Sequence, residues 1–414
     1  MRILLVNHTG AWSGAEVSLM RLVAGLAEHH ELAIACPGEG RLAEEVDGAG
    51  VERLSIPAVD ASLRLHPIQT PAGMRQLRAG GAALARAARE FRADIVHANT
   101  PRVGIMAGMG LRGSGRPFVV RAHEHLPLST VGRAVRSLIV RTASGVAAVS
   151  DFTARRFNEG LPHPVATRVY NSIDQERFDP ERVEPAPIRQ ELGLGARERL
   201  IGQVAQITPW KAQDVSIRAL AELRARGVDA HLLLVGQVAF GGKHVRFDNH
   251  AFLNSLERLV DELSVRHAVH FLGQRDDVPE LMRALDLSLL PSWEEPFGLV
   301  TVESMALGTP PLVSADGAGP ELVDDGVTGV VVAAKRPDLW ARAAEELLRD
   351  PDRLQLMGER SRGAAARFRD DVHAAEMLAI FERALARTAR GQQHGGRVTA
   401  TGPADNRVEA PWLS

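Results

Sequence analysis

Cysteine is almost absent: Cys36 is the only one in 414 residues. With a single thiol, neither an internal disulfide nor a cysteine-built metal cluster can form, which suits a reducing compartment, and Cys36 reads as a small core residue. Long apolar runs are missing too, so no segment is expected to span a bilayer. The opening Met1-Arg2-Ile3-Leu4-Leu5-Val6-Asn7 carries one basic residue, a short apolar stretch and no small-residue cleavage site. It therefore reads as a first buried strand and not as a signal peptide. Nor is there a large charge of either sign. Lys and Arg number 49 and Asp and Glu 51, a formal net charge of -2, whereas a protein that neutralises polynucleotide phosphates would carry broad basic surfaces. These absences point to a cytoplasmic chain without a nucleic-acid partner.

What is present is a globular balance, 45% apolar and 24% charged, over a length that exceeds one ordinary core and favours two domains. Short apolar runs at 3–7, 32–36, 94–98, 118–122 and 146–149 alternate with amphipathic stretches such as 15–29 and 74–91. That alternation is the signature of an α/β fold, a doubly wound parallel sheet with helices on both faces. Around Phe178-Asp179-Pro180 and Glu184-Pro185-Ala186-Pro187, three prolines favour an extended linker. Beyond it the pattern restarts at 200–206, 231–236, 269–272, 287–290, 311–314 and 329–332. The expected domains are 1–178 and 179–370, with a helix at about 370–388 returning to the first. Residues 391–414, polar and without apolar periodicity, are expected to be a disordered tail.

Two common nucleotide sites fail on spacing. No G-x-G-x-x-G stands between a strand and a helix. The segment Gly236-Gln237-Val238-Ala239-Phe240-Gly241-Gly242-Lys243-His244 has one residue too many for a P-loop and lacks the Ser or Thr that would hold magnesium. The close pair Asp350-Pro351-Asp352 lies between helical stretches and not after a strand, so it reads as a turn and helix cap, not as a metal grip.

The most informative segment runs from Pro291 to Gly308, where a strand feeds a helix that Pro296 can open and Gly308 can close. Amides at that helix start point outward with partial positive charge, so Gly298, Leu299 and Val300 can cradle phosphate oxygens. Glu295 and Glu303 are eight positions apart, roughly 12 Å of axial rise if both lie on the helix, too far for a glycosidase acid/base pair. They read as two grips on an extended ligand, one for sugar hydroxyls and one for ribose hydroxyls, since an ionised carboxylate accepts two such bonds. Solvated helix-end glutamates are the plain alternative.

At this point the chain resembles a known family. Glu295-Pro296-Phe297-Gly298 with Glu303 is similar to the glutamate-x7-glutamate motif of family 4 retaining glycosyltransferases, which have the GT-B fold of two facing Rossmann-like domains with an interdomain cleft. Gly10-Ala11-Trp12-Ser13-Gly14-Ala15-Glu16 resembles that family's first glycine loop, Val169-Tyr170-Asn171-Ser172-Ile173-Asp174 its hinge, and Gly317-Ala318-Gly319-Pro320-Glu321 its later glycine-rich loop. The four motifs stand in the family's order. The resemblance implies that Glu303 binds ribose, that Glu295 orients the donor sugar, and that main chain around Gly14, Ala15, Phe297 and Gly298 surrounds a diphosphate. Taken alone, Gly14 reads equally well as a tight turn before a helix.

Residues 204–214 resemble the family's arginine-to-lysine phosphate clamp, with Lys211 in place to stabilise a leaving diphosphate and Gln206 where arginine is expected. Glutamine donates a hydrogen bond but no charge, so Arg275 or Lys243 are the candidates to compensate. A solvated loop lysine is the alternative for Lys211. In Arg121-Ala122-His123-Glu124-His125, which follows a strand, His123 matches the family's histidine beside the reacting sugar. A zinc site on this loop lacks partner ligands, and a hydrogen-bonded structural histidine is the better alternative. The stretch 131–140, punctuated by Arg133 and Arg136 and followed by Arg141, offers a basic helix face that is either solvated or laid on an anionic membrane at its inner surface.

The expected activity is metal-independent, retaining transfer of a hexose or N-acetylhexosamine from a nucleoside diphosphate sugar, with UDP or GDP the leading bases. The acceptor is a hydroxyl of a saccharide, a lipid-linked saccharide or a small molecule, and no cofactor beyond the donor co-substrate is needed. Base and sugar choice are assigned to the pocket near Arg275, Val278 and the Gly317 to Glu321 loop. A nucleotide-sugar epimerase of the same build and a non-catalytic scaffold are the alternatives.

Overall fold

The computed structural model describes residues 1–60, 69–126, 129–195, 197–238 and 247–395. The first seven strands are β1 (Arg2–Val6), β2 (Glu31–Cys36), β3 (Glu52–Ser55), β4 (Ile95–Ala98), β5 (Phe118–Ala122), β6 (Gly145–Ala148) and β7 (Ala166–Arg168). They form one sheet in the order β3-β2-β1-β4-β5-β6-β7. A second sheet holds β8 (Arg199–Val204), β9 (Ala230–Val235), β10 (Val269–Gly273), β11 (Leu287–Leu290), β12 (Pro311–Ser314) and β13 (Val330–Val332) in the order β10-β9-β8-β11-β12-β13. Adjacent strands in both are parallel. Strands such as β1 and β9 are buried along almost their whole length, as helices on both faces require, and so they read as continuous apolar runs.

Two strands went unread. Strand β3 has no buried residue, its ends Glu52 and Ser55 being exposed and Arg53 and Leu54 half-buried, and β7 buries only Ala166 fully. Both are edge strands, and neither carries the apolar run on which strands were recognised.

The chain order reverses between β1 and β4 in the first sheet and between β8 and β11 in the second. In open α/β sheets ligands bind outside the carboxyl ends of strands at such reversals. The loops after β1, β4, β8 and β11 hold the 10–16 motif, Asn99, Lys211 and Glu295 respectively.

The carboxy-terminal helix Asp370–Gly395 packs on the first sheet, where Ala374, Met377, Ile380, Phe381 and Ala384 share a core with Ile3, Leu5 and Leu22. It continues through 391–395, which corrects the expectation of disorder from 391, since a helix already packed over several turns propagates cheaply by one bond per residue. The rest of the expected tail, 396–414, lies outside the described residues. Between the lobes, Val149, Ile173 and Phe178 share a core with Leu290, Phe297 and Phe368. Tyr170, Phe297 and Phe368 meet at its centre with ring separations of 5.5 to 5.9 Å.

Candidate active site between the two lobes

The first wall is the loop after β1. Ser13 and Glu16 form a capping box at the start of helix Gly14–Leu26: the Ser13 amide and hydroxyl both donate to Glu16 Oε2, at 3.0 and 2.6 Å. Asn7 Nδ2 donates to the other oxygen at 3.0 Å. Glu16 is thus a buried carboxylate with its charge satisfied, and the Ser13-x-x-Glu16 spacing could have announced it. Asn99 ties the loop to the next strand end by donating to Asn7 Oδ1 and to the Ala15 carbonyl, at 3.1 and 3.2 Å. Its own Oδ1 lies 3.1 Å from His123 Nε2.

His123 therefore sits in the cleft floor. Burial, and then the neighbouring Arg121, His97 and His373, hold it well below the usual histidine range, so it is a neutral imidazole. Arg121 itself is 1% exposed, donates to Asn171 Oδ1 at 2.7 Å, and is lowered to about 9 by desolvation. Asn171 belongs to the expected hinge, and Ser18 Oγ donates to the same oxygen at 2.8 Å. Neither Arg121 nor Asn99 was foreseen as part of this network.

The second wall begins with the turn Glu294–Glu295–Pro296. Lys211 Nζ donates to Glu295 Oε2 at 2.7 Å and lies over the Trp210 ring at 4.1 Å. Glu295 is 7% exposed, so the two expected donor-site residues are brought together as a mostly buried ion pair. Lys211 is not a solvated loop residue. Gly298 has φ +95° and precedes helix Leu299–Ala306. The helix thus opens at Leu299 and not at Pro296, because the left-handed turn at Gly298 comes first. Glu295 lies outside the helix, and the axial-rise argument for its separation from Glu303 does not apply.

The Glu295 turn docks on the loop after β12 through a bridge to Gly317, with the Ala318 amide donating to the Glu295 carbonyl at 2.9 Å. A Cβ on Gly317 would stand 2.6 Å from the Glu295 nitrogen, and φ there is +128°. Only glycine fits that position.

Glu303 is on helix Leu299–Ala306, and burial pushes its carboxyl up to about 7 while Arg177 pulls it down. Leu299 and Val300 are partly exposed at the helix start, and a Cβ on Gly14 would touch Leu299 Cδ1 at 3.4 Å. The amino ends of helices Gly14–Leu26 and Leu299–Ala306 therefore lie close together at the boundary between the lobes.

Other candidates are placed differently. The Phe297 side chain is 3% exposed in the interlobe core, leaving only its main chain for a ligand. Arg275 makes a two-pronged pair with Asp277, at 2.7 and 2.6 Å. Gln206 is partly buried and its carbonyl accepts from Gln213 Nε2 at 2.8 Å. Lys243 lies outside the described residues. Glu321 does not point at the cleft pocket: its oxygens accept from the amides of Asp151 and Phe152, at 2.7 and 2.5 Å. Arg136 turns inward to the Phe157 carbonyl at 3.3 Å and is 9% exposed, so it does not belong to a basic outer face. Asp350 caps helix Pro351–Ala365 by accepting from the Arg353 amide at 3.0 Å, as a turn-and-cap reading requires. Among the described residues no three His, Cys, Asp or Glu form a group able to hold a metal, and no helix is long and apolar enough to cross a membrane.

Two parallel-sheet lobes with their strand ends facing a shared cleft define the GT-B architecture. A model described as Glycosyltransferase Family 4 matches residues 12–177, and one described as Glycosyl transferases group 1 matches residues 186–364. The chain belongs to this glycosyltransferase family. Its relatives include the D-inositol 3-phosphate glycosyltransferase of Mycobacterium marinum, 34% identical over 229 residues, which are 54% of this chain and 46% of that protein. That of Mycobacterium tuberculosis is 34% identical over 235 residues, 56% of this chain and 46% of the relative. The chain spans about half the length of the curated relatives it matches. Among solved structures, Anabaena Alr3699/HepE in complex with UDP-glucose is 24% identical, with 94% of this chain and 100% of that one covered and a TM-score of 0.77. Sucrose-phosphate synthase of Thermosynechococcus elongatus is 20% identical, with 93% and 99% covered and a TM-score of 0.73. These likenesses establish the fold.

Proposed function

We propose that the chain is a retaining glycosyltransferase that moves a hexose or N-acetylhexosamine from a nucleoside diphosphate sugar, with UDP the favoured base, to an acceptor hydroxyl without a metal ion. The observation that carries this reading is the close approach of two helix amino ends at Gly14 and Leu299, with the Lys211–Glu295 pair on the turn that leads into the second of them. Two sets of outward amides and one cation are what a diphosphate needs as charge develops on it. The Anabaena neighbour holds UDP-glucose, and the mycobacterial relatives are named for an inositol phosphate acceptor, which favours a UDP donor and a polyhydroxylated acceptor.

In this reading Glu303 accepts the ribose hydroxyls, the amides of Gly298, Leu299 and Val300 and the main chain of Gly14 and Ala15 hold the diphosphate, and Lys211 stabilises the leaving phosphate. Glu295 orients the sugar. The bond from the anomeric carbon to the phosphate oxygen breaks, the acceptor oxygen bonds to that carbon on the same face, and its proton passes to the leaving phosphate, so a nucleoside diphosphate is released. Neutral His123 accepts a hydrogen bond from a sugar or acceptor hydroxyl in the floor of the cleft.

Calorimetric titration with UDP, GDP and ADP and their common sugars, with and without EDTA, tests this. Micromolar, chelator-insensitive binding of one nucleotide is expected, with the α or β configuration of the donor kept in the product by NMR. Absence of binding by all three would refute the donor site, and loss of binding in EDTA would refute the metal-free mechanism.

A further inference from the structure

The turn that carries Glu295 is held from the other lobe. On one side of Glu295, the Glu294 carbonyl lies 2.9 Å from His125 Nε2, and the Glu294 carboxylate accepts from Arg156 Nη2 at 2.5 Å. On the other, the Pro296 carbonyl accepts from Ser150 Oγ at 2.6 Å and Thr153 Oγ1 at 3.2 Å. Glu294 has φ +58°, a left-handed conformation that a residue with a Cβ adopts only when its surroundings impose it. Three of these donors come from one element: Ser150 caps helix Asp151–Asn158, and Thr153 and Arg156 follow at a spacing of three, which places all three on one face.

The same helix start is clamped a second time. Glu321, from the second lobe, accepts the amides of Asp151 and Phe152, with Arg155 at 3.6 Å. Those are first-turn amides with no partner inside the helix. The second lobe thus caps a first-lobe helix, and that helix in turn grips the second lobe's Glu295 turn. The contact is reciprocal and involves no part of a ligand.

We infer that helix Asp151–Asn158 is a positioning element for Glu295, so that the sugar end of the donor site takes its working geometry only while the lobes are docked. This rests on the reading of Glu295 as the group that orients the donor sugar. The nucleotide end is built differently: helix Leu299–Ala306 and Glu303 belong to the second lobe, the first lobe adds only main chain at Gly14 and Ala15, and neither touches helix Asp151–Asn158. Nucleotide and sugar recognition therefore depend unequally on the grip of helix Asp151–Asn158, the sugar end far more than the nucleotide end. Such coupling keeps the glycosidic bond unaligned until the cleft has closed on it and excluded water.

The test uses the full chain with Arg156→Ala, Arg156→Lys and Glu294→Gln, titrated with UDP and with UDP-glucose. Arg156→Ala is expected to leave UDP affinity within threefold of wild type while losing tenfold or more of the affinity for UDP-glucose, with turnover falling and the KM for UDP-glucose rising. Arg156→Lys should restore most of both, and Glu294→Gln, which keeps shape but removes the ion pair, should give a weaker version of the loss. Equal losses for UDP and UDP-glucose, or no loss for either, would overturn the inference. Hydrogen exchange of the ligand-free chain separates this from failure of the donor-site reading itself. The amides of 293–295, 297 and 298 should exchange faster in Arg156→Ala while those of β8 and β9 do not change, whether or not any nucleotide binds. Unchanged exchange at these amides would overturn the positioning role by itself.

Discussion

Glu303 lends itself to a quantitative test, because burial raises its carboxyl from 4.5 to about 7. If the ionised form is the one that accepts two ribose hydroxyls, the free chain is competent above about pH 7 and progressively incompetent below it. With a single titration the apparent dissociation constant scales as one plus ten to the power of (7 minus pH), so lowering the pH from 8 to 6 weakens binding by roughly tenfold, or ~1.4 kcal/mol. UDP-glucose is the probe to use, since its diphosphate, esterified at both ends, has no ionisation of its own in that window. Glu303→Gln cannot change charge, so its affinity should stay flat from pH 6 to 8, near the weak limit of the wild type. Stability moves the other way. A native carboxyl raised above its unfolded value binds more protons than the unfolded chain between pH 4.5 and about 7, so its contribution to stability is lost as the pH rises through that window. Glu303→Gln should therefore melt higher than wild type at pH 8 and show little gain at pH 5. Calorimetry and thermal melts across pH 5 to 8.5 provide both readings. A flat wild-type affinity, or a slope that persists in Glu303→Gln, would refute the assignment.

Lys211→Met should abolish transfer and, by leaving the Glu295 carboxylate buried and unpaired, cost about 3 kcal/mol, read as a fall in melting temperature. Gly317→Ala places a methyl 2.6 Å from the Glu295 nitrogen in a left-handed position, so it should destabilise by roughly 1–3 kcal/mol and weaken UDP-glucose binding more than UDP binding. His123→Ala removes one contact with Asn99 and should slow turnover with circular dichroism and nucleotide affinity unchanged, whereas wild-type turnover would remove it from the cleft chemistry.

Much of the fold was legible because central strands of parallel sheets are buried on both faces and must be apolar, as β1, β9 and β11 are. The first sheet's edge strands β3 and β7 were not, since they lie half in solvent and carry no apolar run, whereas the second sheet's edges β10 and β13 keep one. In the site, the order of the 10–16, 204–214 and 291–308 motifs pointed to Gly14, Lys211, Glu295 and Glu303 before any contact was known. Pro296, read as the opening of the helix, nevertheless misled, because the left-handed turn at Gly298 comes between it and the helix start at Leu299.

The division has a physical basis. Local rules, namely apolar runs, a capping box at Ser13 and Glu16, and glycines where the chain turns before a helix, are written in neighbouring residues, so the sequence by itself determined two parallel α/β sheets and the loops at their strand ends. Pairings across large separations are not written there. That Lys211 meets Glu295 follows from how the second lobe's strand ends pack, and that Glu321 caps a helix 170 residues upstream and Arg156 holds the Glu294 carboxylate follows from how the lobes dock. Only the tertiary structure decided which charges are buried together, because the free energy of a buried charge depends on the groups that surround it in space.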